Sequence, residues 1–216
     1  MSHLIEKEIK CPKCSFPTSA EIWSVINANA DPELKNLLLG GEINIVKCES
    51  CREVFYADEF LIYLDKANEL LAIVYPLSDM DKKNELEKSA RENFASSQAG
   101  VAEFERIDYE PVVLFGVDEL ITLLRRDEER EIQSQIVVHL SQLHGFPIKK
   151  IRPSHARNLN FPRILPFSKD PSIPLRESIL EGISLVLSLN ENLNVFSDLR
   201  EFLLKNEIIS LPIIEE

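Results

Sequence analysis

The four cysteines of the chain fall in two pairs, Cys11-x-x-Cys14 and Cys48-x-x-Cys51. Thiolates serve as metal ligands, nucleophiles and redox centres, so several chemistries compete for this pattern. A tetrahedral metal site needs four deprotonated ligands, and one C-x-x-C turn presents two of them from a single bend. Two such turns packed face to face complete the set. The 33 residues between the pairs (15–47) exceed the roughly 15–20 of common zinc patterns. Loop closure costs only about 0.6 kcal/mol per doubling of length, and zinc binding worth about 10–16 kcal/mol outweighs it. Cys11, Cys14, Cys48 and Cys51 are therefore expected to hold one structural zinc ion.

A thiol-disulfide oxidoreductase would place one pair at a helix N-terminus, where the dipole acidifies the thiol. Pro17 and a strand-like run follow Cys14, and the strand-like "REVFYAD" follows Cys51, so neither pair has that helix. Disulfides belong to oxidising compartments. The N-terminal "MSHLIEKEIK" is charged throughout and lacks the apolar core of a secretion signal. Apolar runs such as "LLAIVYPL" fall short of the roughly 20 residues of a membrane helix. A cytoplasmic location, away from membrane, is expected. An iron centre of the rubredoxin type uses the same spacing; zinc is preferred because nothing else points to electron transfer.

Other candidates are weak. His139 and His144 lie five apart, on different faces of one helix, and His3 and His155 sit in irregular-looking sequence. There is no H-E-x-x-H, no G-x-S-x-G and no glycine-rich phosphate loop among six glycines. Trp23, Phe55 and Tyr56 could form a contact patch beside the metal, with core packing the preferred alternative.

The elements that must carry the pairs are legible in part. "TSAEIWSVINA" reads as a strand. "ADPELKNLLLGG" reads as a short helix, capped by Asp31, started by Pro32 and ended by Gly40-Gly41. "EINIVKC" alternates as a strand, "FLIYLDKANELLAIVYP" reads as a hairpin, and "PVVLFG" as a short buried strand. Leu86, Ala90 and Phe94 have helical spacing. Residues 117–146 form the clearest helical tract, with Leu120, Ile121, Leu124, Ile132, Ile136, Leu140 and Leu143 on one face and a break conceivable at "RRDEERE". Residues 183–189 fit a helix or a strand, "VFSDLREFLLKN" a helix, and "EIISLPII" a terminal strand or arm.

The net charge of −12 is unevenly placed. Residues 145–171 reverse the sign, with Lys149, Lys150, Arg152, Arg157, Arg163 and Lys169 against Asp170. The acidic remainder argues against general affinity for nucleic acid or anionic membrane. The preferred reading of the basic segment is a strand-like arm folded over the protein's own acidic surface. Its five prolines exclude regular helix throughout.

The cysteine motifs resemble those of the CpXC domain family, found in bacterial and archaeal proteins. The likeness is carried by Cys11-Pro12-Lys13-Cys14, "EIWSVIN" at 21–27, "DPELK" at 31–35, "GGEIN" at 40–44 and Cys48 with Cys51. "IYLD" at 62–65 and "FGVDEL" at 115–120 fit less specifically. Ser15 and Arg52 stand where such turns commonly have glycine, and Glu49 replaces the second proline. Slightly strained turns with intact ligands are expected. The resemblance implies a metal-stabilised domain.

The expected fold is α+β: a zinc-ribbon-like domain over 1–145 with an antiparallel sheet and following helices, a Pro-rich basic connector over 146–171, and a mainly helical region over 172–216. The expected role is a non-enzymatic, zinc-stabilised module that binds another protein. The alternatives are a nucleic-acid-associated zinc ribbon using 146–169, and an oxidoreductase using the cysteines.

Overall fold

A computed structural model describes residues 1–102 and 106–206, and the backbone of 213–214. Among the described residues strands combine with six α-helices, and the chain divides into two compact units, 1–125 and 126–216.

The first unit is built on a five-stranded sheet in the order β1-β2-β5-β6-β7. Its strands are β1 (His3–Lys10), β2 (Pro17–Asn27), β5 (Leu61–Asp65), β6 (Leu70–Tyr75) and β7 (Val112–Phe115). The small hairpin β3 (Ile45–Lys47) and β4 (Val54–Tyr56) stands apart from that sheet. Helix α1 (Pro32–Leu39) follows β2, and α2 (Lys83–Gln98) follows β6. Period-two alternation drives the central hairpin: Leu61, Tyr63, Leu70, Ala72 and Val74 point to one buried face. At its turn the Asp65 carboxylate accepts the Asn68 N–H at 3.1 Å, and Glu69 takes a left-handed φ of 46°.

The sheet is mixed, where an antiparallel one was expected. β2 runs parallel to β5, and β6 parallel to β7. Parallel neighbours need long crossovers, and the segments containing α1 and α2 supply them. Leu34 and Leu38 of α1 join Ile26 and Tyr63 in the core, with Leu120 and Leu124 from the start of α3 (Val117–His144). Asp31 sits at the N-cap of α1, but its carboxylate accepts the Ser2 N–H at 2.9 Å instead of capping the helix. β1 escaped sequence reading because it is an exposed edge strand with only Ile9 buried. Its charged residues suit an edge that must not recruit another strand.

The second unit has its own core. β8 (Ile148–Ile151) pairs with β9 (Ile164–Pro166) and with β10 (Ile213–Ile214). Helices α4 (Pro153–Leu159), α5 (Leu175–Leu189) and α6 (Asn194–Lys205) complete it. Residues 146–171 are thus no connector. Phe146, Ile151, Phe161, Leu165 and Phe167 are buried with Ile183 and Phe196. The prolines punctuate this segment: Pro153 begins α4, where a missing N–H costs nothing, and Pro166 ends β9. Residues 183–189 are helical, since Ile179, Ile183 and Val186 lie fully buried at helical spacing. A Cβ at Gly182 would come within 2.4 Å of the Pro166 carbonyl carbon, so only glycine lets α5 approach β9. Of the expected terminal arm, residues 207–212 lie outside the described residues.

α3 is one continuous helix, without a break at "RRDEERE". Beyond Arg125 the expected apolar face does not hold: Ile132 and Leu143 are 54% and 65% exposed. Asp127, Arg130, Gln133, Ser134 and Val137 are buried in their place. Polar members find partners. Asp127 accepts Arg157 Nε at 2.7 Å, Ser134 Oγ accepts the Arg163 N–H at 3.2 Å, and Gln133 Oε1 accepts the Val195 N–H at 3.0 Å.

Candidate metal centre

The two C-x-x-C turns are near copies. In the first, the Cys11 carbonyl accepts the Ser15 N–H at 2.8 Å and the Cys11 N–H donates to the Phe16 carbonyl at 3.0 Å. In the second, the Cys48 carbonyl accepts the Arg52 N–H at 3.0 Å and the Cys48 N–H donates to the Glu53 carbonyl at 2.8 Å. Ser15 and Arg52, the residues at the glycine positions, both adopt left-handed backbone, with φ of 59° and 60°. The strain expected there is present, and the turns close regardless. A left-handed L-residue costs roughly 1–2 kcal/mol.

The turns bring Cys11, Cys14, Cys48 and Cys51 together. All four Sγ atoms lie within 4.8 Å of one another. Cys11–Cys51 and Cys14–Cys48 are each 3.6 Å apart. A tetrahedral ion with metal–sulfur bonds of about 2.3 Å sets its sulfurs about 3.8 Å apart, so the cluster fits such an ion. Each turn contributes one sulfur from within and one from the surface: Cys11 and Cys48 are buried, Cys51 is half-buried and Cys14 exposed. Among the described residues no other group of three or more His, Cys, Asp or Glu could hold a metal.

The surroundings treat the four thiols unequally. The backbone N–H of Cys51, with a smaller contribution from that of Ser50, brings the Cys48 thiol down to about 6 against the opposing effect of burial. Cys51 receives the Glu53 N–H, which lowers it, but burial and the neighbouring Cys14, Cys11 and Cys48 push it up to about 12. Four thiolates at this spacing repel, and a cation is what lets all of them ionise together. Lys13 and Glu53 bridge the turns at 2.7 Å. Glu53 raises the Lys13 ammonium above its ordinary value, first by the hydrogen bond and then by its charge.

Other parts of the architecture hold the turns in place. β1 enters the first turn and β2 leaves it; β3 enters the second and β4 leaves it. A small cluster of Ile9, Ile22, Val46 and Ala57 lies beneath, with Phe55 packed against it. Asn44, itself left-handed at φ 57°, accepts the Trp23 N–H at 2.8 Å and donates to the Trp23 carbonyl at 3.0 Å. This contact joins the "EIWSVIN" and "GGEIN" segments, a pairing that sequence reading noticed as motif without seeing its cause. Trp23 packs against the main core, whereas Tyr56 stays 50% exposed and donates its hydroxyl to the Gly41 carbonyl at 2.6 Å. The four histidines are all exposed. The backbone N–H donors to sulfur had no side-chain signature to find.

A mixed α/β unit with two matched cysteine turns, one between β1 and β2 and one in the β3–β4 hairpin, brings together four sulfurs that could hold a metal ion. The family model described as CpXC protein matches residues 9–124, more than half of the chain. The chain belongs to the CpXC family. No curated protein and no solved structure matches it. No helix among the described residues is long and apolar enough to cross a membrane.

Proposed function

We propose that this chain is a non-enzymatic protein-interaction module whose first unit is stabilised by one zinc ion on Cys11, Cys14, Cys48 and Cys51. The observation that carries the reading is the convergence of four cysteine sulfurs, a full tetrahedral set of protein ligands. A structural zinc site uses all four positions in this way, whereas a catalytic one keeps a position for water or substrate. The all-sulfur donor set favours zinc over the harder divalent cations.

Two further facts support the reading against its rivals. Both cysteine pairs lead into strands, β2 and β4, and neither stands at a helix N-terminus, as an acidified redox pair would. Arg157 and Arg163 of the basic segment are engaged by Asp127 and Glu131, which removes them from phosphate binding. A cytoplasmic setting, where thiols stay reduced, agrees with four free cysteines.

Elemental analysis of the purified protein tests the metal: close to one zinc per chain is expected, with thiols unreactive until the ion is chelated. Metal-free protein with a native fold and freely reactive thiols would sink the reading. Turnover of an insulin-type disulfide substrate, lost on Cys11→Ser, would place the chain in the oxidoreductase class.

A further inference from the structure

Two hollows lie side by side in the first unit, with volumes of about 250 and 290 Å³, and they share Tyr56, Asp58 and Glu59 as a common wall. The first has Ile43, Leu61 and Val74 for a floor and Leu77 on its lip. The second is walled by Ile9 and Phe55. Tyr56 and Leu77 are 50% and 58% exposed, so the groove presents apolar surface to solvent.

Its rim is acidic. Glu8, Asp58, Glu59 and Asp118 line the two hollows, against a single lining ammonium, Lys10. Lys7 pairs with Glu59 at 2.5 Å, which still leaves carboxylates in excess of cations. Asp58 is fixed in place by the N–H groups of Leu77 at 2.7 Å and Ser78 at 3.1 Å. The fixed carboxylate and the exposed Glu8 and Asp118 set a negative field over an apolar floor.

Each hollow falls below the roughly 300–1,000 Å³ of typical small-molecule sites. Two hollows that share a wall instead suit an extended chain, whose residues i and i+2 project to one side about 7 Å apart and so reach neighbouring positions on the groove. We propose that this groove docks an extended segment of a partner protein bearing an apolar side chain of leucine size and, two positions away, a lysine or arginine. The apolar group fills a hollow and the cation meets the rim. This inference rests on the interaction-module reading and names the partner's chemistry.

The probe is a labelled peptide, Ser-Leu-Ser-Lys-Ser-Leu-Ser-Lys, compared by fluorescence anisotropy with counterparts carrying glutamine or glutamate for lysine. The zinc-loaded full chain is used, and amide chemical-shift mapping locates the contact. The lysine peptide is expected to bind about three- to tenfold more tightly than the glutamine one, with the gap closing in high salt. The glutamate peptide should not bind. Asp118→Asn and Glu8→Gln should each weaken the lysine peptide about two- to fivefold and leave the glutamine peptide unchanged. Leu77→Ala, at an exposed position that the fold tolerates, should weaken both. Equal binding of the lysine and glutamine peptides, shifts confined to another surface, or no binding at millimolar peptide would overturn the proposal. Photo-crosslinkers at Leu77 and Ile45 in living cells separate the two failures. Partner capture from Ile45 but not Leu77 refutes the groove alone. Capture from neither position counts against the interaction reading as well.

Discussion

The lobe around the cysteine turns and the second unit solve the same problem with different materials. Beneath the cysteine turns lies a cluster of only four buried residues, Ile9, Ile22, Val46 and Ala57. The second unit buries phenylalanines at 146, 161, 167 and 196 beside a run of aliphatic side chains. A hydrophobic core contributes about 25 cal/mol per Å² buried, so a small lobe with few large apolar groups gains little from it. A metal ion on the four cysteines would supply that contribution in the lobe. In the second unit even a polar pair, Asp127 with Arg157, is buried. On the proposed reading, one lobe is conditional on an ion and the other is not.

The widest expected separation comes from taking the metal away. Chelation, or Cys48→Ser, removes binding worth about 10–16 kcal/mol and should open residues 9–57 while much of the helical circular dichroism persists. Limited proteolysis should cut first within that stretch. Collapse of the entire chain in one step, or first cleavage in 172–206, would show that the two units do not differ as described.

The reverse experiment attacks the second unit. Asp127→Ala removes the carboxylate that Arg157 meets at 2.6 Å, and removing one partner of a buried pair costs about 3–5 kcal/mol. Melting of that unit should fall sharply, while the zinc content of the first stays near one per chain. Loss of the metal in this variant would couple the two stabilities.

Acid should divide the units more gently. Ligand thiols must be deprotonated, so protons compete with the metal and its retention falls as pH falls. In the metal-free protein the sign is the same for Cys48. Its folded value of about 6 lies below the ordinary thiol value of 9.0, so its stabilisation is complete above 9.0 and is lost as pH falls through about 6. Zinc release followed by a chromogenic chelator should precede any change in the helical signal of the second unit.

The smallest effect expected is at the strained corners. Ser15→Gly and Arg52→Gly relieve left-handed L-residues, and after the greater backbone entropy of glycine each should stabilise the lobe by about 0.5–1 kcal/mol. A zinc competition assay would read this as tighter retention. Weaker retention in both variants would mean the side chains contribute more than the backbone strain costs.

What could be read in the sequence followed from how directly a residue's type fixes its surroundings. The cysteine pairs, the Trp23 strand, the hairpin over 61–75 and the helix starting at Pro32 rest on spacing and turn chemistry, and the structure has them. Position 15 and position 52 were recognisable as strained because glycine was missing where a left-handed bend is needed. The failures came where burial does not follow hydrophobicity. Asp127 and Arg130 look like a solvated face yet are buried, whereas Ile132 and Leu143 look like core and are exposed. Prolines over 146–171 suggested a linker, because a sequence shows breaks in regular structure but not the apolar residues that long-range packing will gather around them. Parallel pairing of β2 with β5 is equally invisible, since it depends on what happens over the residues between them.

Asn44 gives the lobe a mechanical character. Its single carboxamide both donates to and accepts from the backbone of Trp23, as a neighbouring strand would, so one side chain serves as a strand of length one. The hairpin that carries Cys48 and Cys51 is thereby keyed to a fixed point along β2 and cannot slide by a residue. A sideways load on the hairpin meets this latch, and a metal at the cysteines would resist a different motion: the ion would hold the turns together, whereas the amide sets where along the sheet they stand. Asn44→Asp would keep the acceptor and lose the donor, leaving a lobe that is still closed but less firmly indexed.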